Sequence, residues 1–194
     1  HLDVAKSVGA GMLAAVPSLG VNLALMKLGG VSPETLKRFL GPLVEELIKA
    51  ALAVWLIRTR RVGFLVDAAI HGFAVGTGFA LLENIYYARA LGDAGIALWL
   101  VRGLGTAMMH GGATAAFAIL GKGLAGRNGA GFAIFLPGLA IAVLVHIVFN
   151  LFVLPPLVTT GLLAAAMPIL LTAVFARSER ATRDWLGVGM DRDV

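Results

Sequence analysis

The sequence predicts an all-α membrane protein, a polytopic bundle of about six transmembrane helices. Hydrophobic residues make up 59% of the 194 residues even though the 25 glycines are left out of that count. Soluble domains reach only about 45 to 50% with glycine included. Asp, Glu, Lys and Arg together make up 14% of the chain, and they fall in short clusters between long apolar stretches. That distribution is typical of a chain that crosses the bilayer several times.

Six apolar segments are long enough to span a bilayer, which takes about 20 residues. They comprise residues 8–26, 39–57, 64–88, 94–121, 131–154 and 157–176. Pro17 in the first segment predicts a kink, and Pro155 and Pro156 predict a sharp break before the last segment. We expect one membrane-embedded domain over 1–194, with its core motifs at 40–150 and a polar cytoplasmic tail at 177–194.

The basic residues are divided unequally between the two ends of the predicted bundle. One end carries Lys6, Arg58, Arg60, Arg61, Lys122, Arg127, Arg177, Arg180, Arg183 and Arg192. The other end carries Lys27, Lys37, Arg38 and Arg89. The positive-inside rule therefore predicts that both termini lie in the cytoplasm. Topology accounts for the net charge of +5, and no basic run interleaved with aromatic residues indicates nucleic-acid binding.

Four of the predicted segments carry ionisable side chains, although one charge at the bilayer centre costs about 2.5 to 3.5 kcal/mol. In chain order these residues are Glu45, Glu46, Lys49, Asp67, His71, Glu83, Arg102, His110 and His146, followed one helical turn later by Asn150. Because this free-energy cost recurs on four helices, the pattern indicates one shared polar site. The helical rise places Glu45, Glu46, Glu83 and His146 about 9 to 12 Å below the less basic surface, with Asn150 at about 6 Å. His110 lies about 24 Å below the same surface if its helix begins at residue 94. Its depth therefore does not decide whether it belongs to the shared polar site.

Helical spacing predicts the local partners of these groups. Glu45 and Lys49 are four residues apart and can pair, which would leave Glu46 as a separate carboxylate. His146 and Asn150 share one helix face. Four residues at strict four-residue spacing form a polar stripe that must face the bundle interior; they are Arg102, Thr106, His110 and Thr114. We expect Arg102 to be the counter-ion of a carboxylate, and Asp67 to be a helix cap and the partner of His71.

These motifs resemble the PrsW family of bacterial membrane proteases. Segment two has the pattern EExxK at Glu45, Glu46 and Lys49, and segment three has FxxxEN from Phe79 to Asn84. Segments four and five supply the motif residues Arg102, His110, His146 and Asn150. The resemblance implies an intramembrane endopeptidase in the bacterial plasma membrane that cleaves a membrane-anchored protein such as an anti-sigma factor.

The wider superfamily includes the type II CAAX prenyl endopeptidases, from which this chain departs at two motifs. Lys49 lies one residue earlier than the arginine of EExxxR, and Glu83 stands where their FxxxH pattern has histidine. CAAX cleavage is therefore the less favoured activity. His146 and Asn150 match the HxxxN pattern, whose residues are thought to hold the oxyanion in those enzymes.

Two mechanisms fit the candidate catalytic residues, which are Glu45, Glu46, Glu83, His110, His146 and Asn150. In the glutamate version Glu45 or Glu46 is the general base, and His146 with Asn150 donates to the oxyanion. In the metal version Glu83, His110 and His146 hold a zinc ion, and a glutamate of segment two is the base. The HExxH signature is absent, and without cysteine any metal needs histidine and carboxylate ligands.

Two functions from other classes remain open on the sequence alone. Buried Glu, His and Lys side chains also form the relays of proton- or ion-coupled transporters, although neither an internal repeat nor a matched pair of broken helices, common in that class, is evident. A non-catalytic membrane scaffold is the other alternative.

Overall fold

The computed structural model describes residues 3–91, 95–128 and 131–190, and these ranges contain six helices and no β-strand. The helices are α1 (Val4–Lys27), α2 (33–58), α3 (Leu65–Leu91), α4 (96–128), α5 (Phe132–Asn150) and α6 (Pro156–Met190). Each predicted segment corresponds to one helix, so the all-α bundle is confirmed. Arg192 and the end of the predicted tail lie outside the described residues, as do the side chains of Arg89 and Arg127.

Four of the described helices are long and apolar enough to cross a membrane. They are α1, the Leu65–Ala88 part of α3, α5 and the Pro156–Arg180 part of α6. The other two, α2 and α4, are the helices that carry most of the polar motif. In Gly41–Arg58 the residues Glu45, Glu46 and Lys49 are all buried, so these charges are covered by neighbouring helices and need not meet lipid.

The helix ends follow local capping chemistry. Ser32 accepts a hydrogen bond from the backbone N–H of Thr35 and Pro33 occupies the first turn, so α2 begins there. Asp67 accepts from the backbone N–H groups of Gly63 and Phe64 and caps α3. The predicted break before the last segment is confirmed, because α5 ends at Asn150 and α6 begins at Pro156.

His71 does not pair with Asp67, and that prediction was wrong. Its Nδ1 atom lies 2.9 Å from the Ser7 hydroxyl of α1, and both side chains are buried. Asp67 is instead directed at the backbone that precedes its own helix. His71 therefore joins α1 to α3.

Two helices, α2 and α4, each contain one π-helical turn, at Leu36–Leu40 and Val101–Gly105. Before its turn α2 has a helical start at Pro33–Thr35, and α4 has one at Ile96–Leu100. A π-helical turn inserts a residue into the helix and often marks a functional site. Both turns lie at the same end of the bundle, since α2 and α4 begin there.

Close backbone contacts hold α3 between α1 and α4. A Cβ added at Gly11 of α1 would lie 2.0 Å from the Val75 carbonyl oxygen, and one added at Gly76 would lie 2.1 Å from that of His110. Any larger residue would have to move a helix backbone. These glycines let the helices approach within van der Waals contact, the main source of helix association in lipid.

The two ends of the bundle differ in chemistry. At the end that holds the α2–α3 and α4–α5 connections, an apolar core forms around Leu56, Val62 and Phe117. We call this the basic end after the basic residues that lie there, which include Lys6, Arg58, Arg60, Arg61, Lys122 and Arg177. At the opposite end, where α1 joins α2, α3 joins α4 and α5 joins α6, the core gives way to a cavity. We call this the cavity end.

Candidate active site

The cavity has a volume of about 820 Å³ and is lined by residues of all six helices. Its polar lining consists of Asn22, Lys37, Glu45, Glu83, Tyr86, Tyr87, Arg102, Thr106, His110, His146 and Asn150. A volume of this order is typical of sites that enclose a ligand. Both π-helical turns contribute to the wall, through Leu36 and Lys37 and through Val101 and Arg102.

A fully buried lysine connects two helices beneath the cavity. The ammonium group of Lys49 donates to Glu46 Oε1 at 2.6 Å and lies 2.6 Å from His110 Nδ1. It also lies 4.7 Å from the centre of the Phe79 ring. The predicted pairing of Lys49 with Glu45 was therefore wrong, because Lys49 turns to the carboxylate three residues before it.

His146 is oriented by the same carboxylate. Its Nδ1 atom lies 2.8 Å from Glu46 Oε1, which fixes Nδ1 as the protonated nitrogen because a carboxylate can only accept. The other nitrogen, Nε2, lies 3.8 Å from Glu45 Oε2. Histidine ligands of metals are commonly held by a carboxylate on their second nitrogen in this way. Glu46 itself is not among the residues that line the cavity.

Glu45 is the carboxylate whose hydrogen bonding is incomplete. Its Oε1 atom accepts from the Asn22 side chain at 3.4 Å, whereas its Oε2 atom is buried without a hydrogen-bond partner in the described structure. Buried carboxylate oxygens are normally satisfied by a donor, an ion or a water molecule. Asn22 comes from α1, outside the motif region, and no motif in the sequence indicated it.

Glu83 and His110 form a second carboxylate–imidazole pair. Glu83 Oε2 lies 3.1 Å from His110 Nε2, and the Glu83 side chain keeps 16% of its surface exposed. The His110 ring lies edge-on to the His146 ring, with centroids 4.6 Å apart. His110 therefore belongs to the cluster, which the depth argument had left open.

Glu45, His110 and His146 form a group that fits a metal ion. One ligand atom from each of the three lies within 4.8 Å of the others, and all three residues are buried. The sequence predicted Glu83 as the carboxylate of the ligand set, whereas the group that could hold a metal in the structure contains Glu45. The partner-free Oε2 atom of Glu45 agrees with that exchange.

The remaining predicted residues surround this group. Asn150 lines the cavity, but its amide donates to the Lys37 backbone carbonyl at 2.9 Å, and it takes no part in the buried network. Asn84 of the FxxxEN motif donates to the Arg102 carbonyl and to the Thr106 hydroxyl. This amide thereby ties α3 to the π-helical turn of α4.

The role of Arg102 as the counter-ion of a carboxylate stays a prediction: its charge acts on Glu83, but it makes no direct ion pair. In the described part of the chain no carboxylate oxygen lies within 4.0 Å of its guanidinium group, which instead packs 4.4 Å from the centre of the Tyr87 ring. Its Nε and Nη2 atoms are buried without hydrogen-bond partners.

A family model, described as PrsW family intramembrane metalloprotease, matches residues 3–176. Comparison with curated proteins and with solved structures finds no significant match. The matched range covers every residue of the site, from Asn22 on α1 to Asn150 on α5. The chain is thus an all-helical protein whose polar motif residues meet at one cavity, and it belongs to the PrsW family of intramembrane metalloproteases.

Proposed function

We propose that this chain hydrolyses a peptide bond of a membrane-anchored protein inside the cavity. One observation carries the proposal: carboxylate and imidazole groups from α2, α3, α4 and α5 converge on a single cavity of ligand-binding size. Peptide hydrolysis needs an activated water molecule, a base and donors for the oxyanion. The cavity wall contains candidates for the base and the donors.

We propose Glu45, His110 and His146 as the residues that hold the metal, with zinc as the expected ion. Zinc takes imidazole nitrogen and carboxylate oxygen as ligands, and three protein ligands leave one position for water or substrate. A bound zinc ion would lower the pKa of that water and polarise the substrate carbonyl. His110 Nε2 now donates to Glu83, so this nitrogen would have to give up its proton and that hydrogen bond to hold a metal, which would release the carboxylate.

The neighbouring side chains then have separate roles. Glu83, which lines the cavity, takes a proton from the attacking water and delivers it to the leaving amine. Glu46 and Lys49 do not line the cavity, and they act by holding His146 and His110 in orientation. Asn150 uses one amide hydrogen on the Lys37 carbonyl, so the second can donate to the developing oxyanion.

A metal-free version of the reaction uses the same cavity. In that version Glu45 is the general base, because its Oε2 atom has no partner, whereas Glu46 is committed to Lys49 and His146. The metal version has additional support, because ligand atoms of Glu45, His110 and His146 lie within 4.8 Å of one another.

Removal of the metal is expected to lower cleavage of a membrane-anchored peptide by at least about 100-fold, and added zinc is expected to restore it. The measurement compares the as-purified, chelator-dialysed and zinc-reconstituted chain, with the zinc content of each sample determined by mass spectrometry. Full activity of a metal-free sample would exclude the metal version and leave Glu45 as the base.

The expected substrate is a single-pass protein cut near the non-cytoplasmic surface. The rule that basic residues face the cytoplasm places the basic end, with both termini, inside, and the cavity end outside. A helix end also costs less to unwind than a helix centre. By family resemblance we propose an anti-sigma factor of the bacterial plasma membrane as the substrate class.

Reconstitution of the purified chain with such a substrate tests the proposal against its rivals. We expect two products from the wild-type chain and none from Glu83→Gln. The control is Glu34→Gln, because Glu34 is an exposed partner of Arg38. Proton or ion flux in liposomes without any cleavage would support the transporter alternative, and neither activity would support the scaffold.

A further inference from the structure

Arg102 has a position in the cavity that the proposed reaction leaves unexplained. It lies in the π-helical turn Val101–Gly105 and lines the same cavity as Glu45, Glu83 and the two histidines. Its backbone carbonyl accepts hydrogen bonds from Asn84 and from the Thr106 hydroxyl. The backbone that carries this cation is therefore held in place by Asn84 of α3 and by Thr106 of its own helix.

The guanidinium group packs against an aromatic ring and makes no direct ion pair with the described carboxylates. The Tyr87 ring covers one face, 4.4 Å from its central carbon. Nε and Nη2, the two nitrogens of its side edge, are buried and have no hydrogen-bond partner among the described residues. That edge carries two parallel N–H groups, the geometry that binds a carboxylate with two hydrogen bonds, and the side chain has to turn the edge toward the cavity before a ligand can reach it.

We infer that Arg102 binds a carboxylate of the substrate beside the catalytic group. The inference rests on the proposed function and adds a specificity element to it. The carboxylate belongs either to an acidic side chain near the cut or to a free C-terminus left by an earlier cut.

Electrostatics explains why such a residue is needed. Glu45 and Glu83 line the cavity, and their charge would repel an acidic substrate segment. A cation held against Tyr87 without a carboxylate partner reverses that repulsion at one position. It would make the site favour a carboxylate over the isosteric amide, since the same shape without charge forms weaker hydrogen bonds.

Binding measurements on the full chain in lipid nanodiscs test this inference directly. The probes are fluorescent membrane-anchored peptides that differ only in Glu or Gln near the cavity end, and a second pair that ends in a free carboxylate or an amide. We expect the carboxylate member of one pair to bind at least about tenfold more tightly to the wild-type chain. The pair that shows the preference identifies the source of the carboxylate.

Arg102→Met is expected to lower the affinity for the carboxylate peptide to that for the amide peptide. Arg102→Lys is expected to keep only part of the preference, because lysine lacks the two parallel N–H groups of the guanidinium. The matched control is Arg38→Met, which removes the same charge at the same end of the bundle. Arg38 is exposed, pairs with Glu34 and does not line the cavity. Its variant should keep the preference. Thermal unfolding midpoints show whether each variant is folded, and the Arg102→Lys comparison remains if Arg102→Met is not.

Three results would overturn the inference. The first is that the wild-type chain binds both members of each pair with equal affinity. The others are that Arg102→Met lowers the affinity for both members equally, or that Arg38→Met loses the preference for the carboxylate peptide. Measuring cleavage of the same peptides beside their affinity separates this inference from the proposed function. A carboxylate preference without cleavage would support the Arg102 site and contradict the peptidase function. Cleavage without the preference would support the peptidase function and contradict the Arg102 site.

Discussion

Glu45→Gln is expected to lower the turnover of a membrane-anchored substrate by about 1,000-fold or more while the chain stays folded. Glutamine keeps the size of the side chain and its contact with Asn22, but it removes the charge. That charge is required in both versions of the mechanism, as the metal ligand or as the base. The Oε2 atom concerned is buried, partner-free and 3.8 Å from His146 Nε2.

The measurement is kcat for cleavage of a single-pass peptide, with zinc content and thermal midpoint taken on the same samples. In the metal version Glu45→Gln should also lose zinc, whereas in the metal-free version only turnover should fall. Glu34→Gln provides the comparison, because that side chain is 70% exposed and should leave both quantities unchanged. Wild-type turnover in Glu45→Gln would exclude both versions.

Lys49→Met is expected to destabilise the chain by about 3 to 5 kcal/mol, because it removes one member of a buried ion pair and leaves the other charge uncompensated. Lys49 is fully buried and compensates Glu46, which also holds His146. Its loss would leave Glu46 with the hydrogen bond from His146 but without its cation, and would leave His110 Nδ1 without the Lys49 donor. Cleavage should fall with stability, since His110 loses its orientation and the charge of Glu46 is no longer balanced.

A double variant separates folding from function at this position. Lys49→Met combined with Glu46→Gln removes both charges and should recover most of the stability, while turnover stays low because neither histidine regains its charged partner. Lys27→Met is the control, since Lys27 is exposed in the last turn of α1, and it should cost about 0.3 to 1 kcal/mol. A stable and active Lys49→Met variant would show that the buried pair does not organise the site.

The helices could be predicted from the sequence because the bilayer imposes a length and an apolar composition on each of them. The shared level of Glu45, Glu83 and His146 followed from helical rise alone, which is a property of a single helix. The interruption at Pro155 and Pro156 followed from the missing backbone N–H of proline. None of these inferences required knowledge of how one helix packs on another.

The pairings failed where the rotation of one helix against another decides the partner. Glu45 and Glu46 point about 100° apart, and local spacing favoured Glu45 as the partner of Lys49. The packing of α5 on α2 brings His146 to Glu46, and α1 brings Asn22 to Glu45. Lys49 therefore pairs with Glu46 and not with Glu45. Composition gave no signal for the π-helical turn at Val101–Gly105, which precedes His110 on α4.

The position of the cut in a single-pass substrate tests the central claim, that peptide hydrolysis takes place at the cavity end, most directly. The purified chain and a substrate of known orientation are reconstituted together, and the new termini are mapped by mass spectrometry. The account predicts one cut at or just outside the end of the substrate helix that faces the cavity end, and no cut with Glu45→Gln. Cuts at the end that faces the basic end, or an intact substrate with the zinc-loaded wild-type chain, would contradict it.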